Sequence, residues 1–91
     1  MITVAVAYRR LKNKLPKNII ISDGFEIKDA YIFSVSDKSG EATGAFPFFS
    51  VLKSTGEIGG YNPIQNIPEY MNAIKNRAID IESLDKPLPI K

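Results

Sequence analysis

Ninety-one residues bound this chain to one small domain with a modest core, too short for two cores around a cleft. Hydrophobic residues make up 44% and charged residues 24%, with no cysteine and no histidine, which excludes disulfides, thiolate and imidazole metal sites, and Ser-His or Cys-His nucleophile pairs. The net charge of +2 is unevenly spread: the first 22 residues carry +5, from Arg9, Arg10, Lys12, Lys14 and Lys17, and the remainder carries −3.

Thr3 has the character of an N-cap, and Val4, Ala7, Tyr8, Leu11 and Leu15 recur at helical spacing until Pro16 blocks a further turn. A first helix over residues 3 to 14 follows, with its basic side chains on the opposite side. The apolar residues precede Arg9 and Arg10, the reverse of a signal peptide, and no run approaches the roughly 18 apolar residues of a membrane span, so a cytoplasmic protein is expected. Ile19 to Ile21 favour a strand. Asp23 and Gly24 then signal a turn before Phe25 to Lys28 alternate, so residues 18 to 28 read either as one bulged strand or as a small hairpin.

Tyr31 to Ser36 alternate clearly, with Tyr31, Phe33 and Val35 on one face and Ile32, Ser34 and Ser36 on the other. Asp37 to Gly40 offer a turn, and Glu41 to Ala45 an irregular, mobile connection. A second hairpin follows, from an apolar strand near Pro47 through a turn at Lys53 to Gly56 into a short strand ending at Asn62 and Pro63. Gly56 is the residue expected to take a positive φ. Gly59 and Gly60 suggest a bulge in that last strand.

Asn66, Pro68 and Glu69 form a helix start with a capping box, and Ile67, Tyr70, Met71, Ile74 and Ala78 form the apolar stripe of a second helix. Pro87 and Pro89 leave residues 80–91 as an extended or poorly ordered tail after a single domain over residues 1–79. The predicted architecture is therefore α+β: helix, an antiparallel meander of three to four strands, helix, with the helices packed on one face of the sheet.

Candidate chemistry is sparse. Asp23, Glu26 and Asp29 lie near a turn and could meet a hard cation, but their spacing matches no calcium loop and a solvated turn explains them. GEIGG at 56–60 lacks the strand-loop-helix context of a phosphate cradle. No catalytic motif and no cofactor site is identified, and an enzyme is not expected. With Tyr31, Phe33 and Val35 turned toward the helices, Ile32, Phe48 and Leu52 point to the other side of the sheet. They form either a docking or homodimer surface on an open sheet face, or a second core covered by the second helix or by the tail with Leu88 and Ile90. Arg9, Arg10 and Lys12 are the alternative site, a basic patch that could attract nucleic acid, with a solvated helix face as the simpler explanation.

The runs YIFSVSD, PFFSVLKSTGEIGGYNP and IPEYM resemble the YrhB-type family of immunity proteins found with bacterial polymorphic toxins. The resemblance spans residues 3 to 77 and centres on the TGEI turn at Thr55 to Ile58. The family often has a tryptophan where this chain has Tyr31, and an Asp-Lys pair where it has Leu52 and Lys53. Membership would imply a protein that binds and neutralises a cognate toxin, with no catalytic residues and no cofactor. A TGEI turn after an apolar strand is also similar to PepSY-like domains, which would imply a regulatory or inhibitory module.

Overall fold

A computed structural model describes residues 1–37 and 48–85. Residues 38–40 of the turn expected at Asp37 to Gly40, the connection after it and the end of the tail lie outside the described residues. The architecture is α+β. Helix α1 (Val4–Lys14) leads into strands β1 (Ile19–Glu26), β2 (Ala30–Asp37), β3 (Phe48–Leu52) and β4 (Ile58–Gly60). A 3-10 turn (Pro63–Asn66), helix α2 (Ile67–Asn76), strand β5 (Ala78–Ile79) and helix α3 (Ile81–Asp85) follow. The strands form one antiparallel sheet in the order β4-β3-β2-β1-β5, so the meander gains a fifth strand on its β1 edge.

The predicted first helix is present. Thr3 Oγ1 accepts from the Val6 amide at 3.3 Å, and the chain leaves the helix at Leu15 in extended conformation, as the following proline requires. Residues 19 to 26 form one bulged strand rather than a hairpin. Ile21 pairs with Val35 and Asp23 with Ser34, so Ser22 is the extra residue. The bulge inverts the alternation: Ile19 and Ile21 face α1, whereas Phe25, which simple alternation would place beside them, faces the other side. Gly24 is the close-approach position, since a Cβ there would lie 3.0 Å from the Phe33 ring and 3.2 Å from Ile81 Cδ1. By contrast, β4 pairs with β3 in regular register, and the bulge expected at Gly59 and Gly60 does not form.

Both faces of the sheet are covered, which corrects the expected one-sided packing. On one face Ala7, Tyr8 and Leu11 of α1 pack with Ile21, Tyr31, Phe33, Val35 and Val51. On the other, Phe25, Ala30 and Ile32 pack with Ala73 of α2. The physical reason is that the second face carries Phe25 of β1, Ile32 of β2, and Phe48 and Leu52 of β3, so a single layer of helices would leave this set in water.

The region after residue 79 also departs from expectation, because Ile81–Asp85 is helical rather than extended. Asp80 Oδ1 accepts from the Ser83 amide at 3.2 Å, and Ile81 and Leu84, three residues apart, pack on the α1 side of the core. The start of α2 differs as well. The 3-10 turn comes first, capped by Asn62, whose side-chain oxygen accepts from the Ile64 amide at 2.9 Å. Asn66 makes no cap bond, and its amide donates to the Asn62 carbonyl at 2.9 Å instead. Glu69 accepts from the Tyr61 hydroxyl, so the expected capping box is replaced by contacts that anchor the helix to the sheet.

Candidate protein-docking face

Four rings hold α2 on the sheet. Phe25 of β1 lies edge-on to Phe48 of β3, to Tyr61 just after β4 and to Tyr70 of α2, with centroid distances of 6.3, 5.7 and 5.4 Å. Phe48 meets Tyr61 and Tyr70 in the same manner at 6.4 and 5.9 Å. Ala73 fits beneath with almost no exposed surface because it is small enough for the helix backbone to approach. The Tyr61 hydroxyl donates to Glu69 Oε1 at 3.3 Å.

Burial pushes the Tyr61 phenol up to about 12, with the Glu69 carboxylate adding to the effect. A folded-state value raised above the unfolded value near 10 means that this contribution to stability is full below about pH 10. It is then lost as pH rises toward 12. Thermal melting across pH 9 to 12 should show a steeper alkaline loss for the native chain than for Tyr61→Phe, and parallel curves would show that the hydroxyl contributes nothing.

This packing decides where the expected contact residues lie. Ile32 has no exposed surface and belongs to the core under α2. Phe48 and Leu52 are half-buried and pack against the same cluster. The three are brought together, but beneath a helix, so the covered second core is the arrangement observed and the sheet face is not open at these residues.

Exposed apolar surface occurs instead on the outer flank of the 3-10 turn and α2. Ile64 is 67% exposed, Ile67 54%, Met71 56% and Ile74 41%. Within α2 the spacing of four and three residues places Ile67, Met71 and Ile74 along one flank of the helix, and Ile64 is exposed on the 3-10 turn that precedes it. The apolar positions expected to form a single core-facing stripe on the second helix are therefore split. Tyr70 and Ala73 turn inward, and Ile67, Met71 and Ile74 turn outward. Such a line, with Lys75 and Arg77 exposed at its C-terminal end, has the form of a helical contact surface.

The basic residues Arg9, Arg10 and Lys12 of α1 are all exposed, and Arg10 and Lys12 also touch other parts of the fold. A Cβ on Gly56 would lie 3.0 Å from Arg10 Cζ, so the Arg10 guanidinium rests on the β3–β4 turn. The Lys12 ammonium sits 5.6 Å from the Tyr8 ring centroid. Arg9 is exposed. Both side chains thus have intramolecular roles that a sequence pattern of charges does not reveal.

The acidic residues near the β1–β2 turn do not converge. Glu26 pairs with Lys53 at 2.5 Å, and Lys53 also lies 5.3 Å from the Tyr31 ring centroid. Asp23 is exposed at the bulge, and Asp29 contributes its backbone carbonyl to the Lys53 amide. Among the described residues no three acidic side chains are grouped to hold a metal ion. A cleft of about 440 Å³ between this turn and α2 is lined by Glu26, Lys28, Lys53, Glu69, Asn72 and Arg77. Two of these, Glu26 and Lys53, neutralise each other. No helix among the described residues is long and apolar enough to cross a membrane.

No family model matches the chain, no curated protein matches it at significance, and no solved structure does so.

Proposed function

We propose that this chain is a non-enzymatic protein-binding module that docks a partner on the line Ile64, Ile67, Met71 and Ile74, and that its partner is a bacterial toxin which it neutralises. The observation that carries the binding part is the exposure of Ile67, Met71 and Ile74 along one flank of α2, with Ile64 exposed on the turn before it, while the opposite side of the helix is firmly packed. A rigid helix that presents anchors at three- and four-residue spacing is a recurring mode of protein recognition, and burying such anchors drives association. The toxin part rests on the resemblance to YrhB-type immunity proteins. A PepSY-like inhibitory module would use the same surface with a different partner. Nucleic-acid binding through Arg9, Arg10 and Lys12 has less support, since Arg10 and Lys12 are engaged within the fold.

The test is survival of bacteria that produce the toxin encoded beside this chain's gene. Co-production of the native chain should restore growth, and Ile67→Asp with Met71→Asp should abolish protection while leaving the fold intact. Absence of a toxin gene there, or full protection by the double variant, would refute the proposal.

A further inference from the structure

We infer that the cleft between the β1–β2 turn and α2 is a binding site for a small organic monocarboxylate, held by the cations of Lys28 and Arg77 beside an apolar lining of Ile27 and Ala73. The cleft takes Glu69 and Asn72 from α2 and none of Ile67, Met71 and Ile74, so it is separate from the docking flank and does not depend on it.

Backbone hydrogen bonds fix its walls. The Glu26 amide donates to the Arg77 carbonyl at 2.9 Å, which sets the end of α2 beside β1, and the Ile27 amide donates to the Ala30 carbonyl at 3.0 Å, which closes the turn that carries Lys28. Two cations remote in sequence are thereby brought to one opening. Ala73 is buried and Ile27 half-buried, and together they offer a short apolar chain a dry contact.

Charge decides the sign of the ligand. Lys28, Lys53 and Arg77 face Glu26 and Glu69 across the cleft, which leaves one net positive charge. Glu26 is paired with Lys53, and Glu69 accepts from the Tyr61 hydroxyl, whereas the side chains of Lys28 and Arg77 have no partner among the described residues. The donors left over are cationic. A single carboxylate brings the cleft to neutrality, and its planar oxygens match the forked N–H donors of a guanidinium. A phosphate dianion exceeds that balance and meets the Glu69 carboxylate in the same wall.

Size and exposure set the strength. The volume of about 440 Å³ suits a small molecule. Lys28, Asn72 and Arg77 are exposed, so water screens the ion pairs and affinity is on the order of 1 mM.

Butanoate, a carboxylate on a short apolar chain, is the probe. Titrated at constant ionic strength into the isotopically labelled native chain, it should move the amide resonances of Lys28, Asn72 and Arg77 along saturating curves. Butanamide, neutral and of the same shape, should give no saturating shift, and inorganic phosphate should bind more weakly than butanoate. Lys28→Gln with Arg77→Gln, confirmed to melt like the native chain, should weaken butanoate about tenfold. Linear, non-saturating shifts with butanoate, equal shifts with butanamide, or unchanged affinity in the double variant would overturn the site. Tighter binding of phosphate would overturn the choice of a monocarboxylate. The native-chain titrations need no variant.

Discussion

Phe25→Ala should cost about 3–5 kcal/mol in equilibrium unfolding by urea, the range for removing a large buried aromatic side chain. Phe25 is 3% exposed and is the ring that touches each of the other three in the cluster under α2. Its removal leaves a cavity and also the hydrophobic clamp between β1, β3, the segment after β4 and the helix half empty. Because Glu26 donates its amide to the Arg77 carbonyl at 2.9 Å, the strand is also joined to the end of α2 by its backbone. The variant should therefore lose protection of α2 amides from hydrogen exchange before the rest of the sheet. A cost below about 1 kcal/mol would mean that α2 is not held by this cluster.

Gly56→Val should cost about 2–3 kcal/mol, for two separable reasons. The first is conformational. Gly56 has φ +76, a region that a β-branched residue resists, and its amide closes the turn onto the Leu52 carbonyl at 2.8 Å. The second is steric and small, because a Cβ at this position meets the Arg10 guanidinium at 3.0–3.2 Å and that exposed, flexible side chain can swing aside. Gly56→Asn should lose less than valine, since asparagine tolerates positive φ better. Combining Gly56→Val with Arg10→Ala should recover little, since most of the cost is conformational. Melting curves of the four proteins separate the contributions, and equal stability of the valine variant and the native chain would refute the turn geometry.

The β3–β4 turn was legible because glycine is almost alone in accepting its backbone conformation, and the first helix because Thr3 and Pro16 mark its ends. The strands of the meander could be read from alternation. What could not be read was the side to which a residue beyond an irregularity points. Asp23 and Gly24 read as a turn signal, yet a single extra residue at Ser22 turns Phe25 to the opposite face from Ile21 and so creates the second core.

The same limit applies to α2. Tyr70, Met71 and Ile74 all lie within a helical period, and nothing in that period says that the sheet would take Tyr70 and leave the other two in water. Choice of face is a tertiary matter, decided here by the ring cluster. Strand β5 is only two residues long and gains its partners from β1, which leaves no local pattern to detect. Helix α3 had a usable signal in Asp80 followed by Ile81 and Leu84, but the nearby prolines masked it. Among the candidate contact residues, Ile32, Phe48 and Leu52 belonged together in space, as expected, but in a core. The exposed line was visible in sequence only as an excess of apolar residues on the second helix over what one face can bury.

The two sides of α2 have opposite roles in this account: the inner side is structural and the outer side is a contact surface. Urea unfolding of Ile67→Asp with Met71→Asp tests this most directly. The unfolding free energy of the double variant should lie within about 0.5 kcal/mol of the native chain, as for solvent-exposed substitutions. A loss of 2 kcal/mol or more would place these side chains in the core of the single chain and contradict the docking surface.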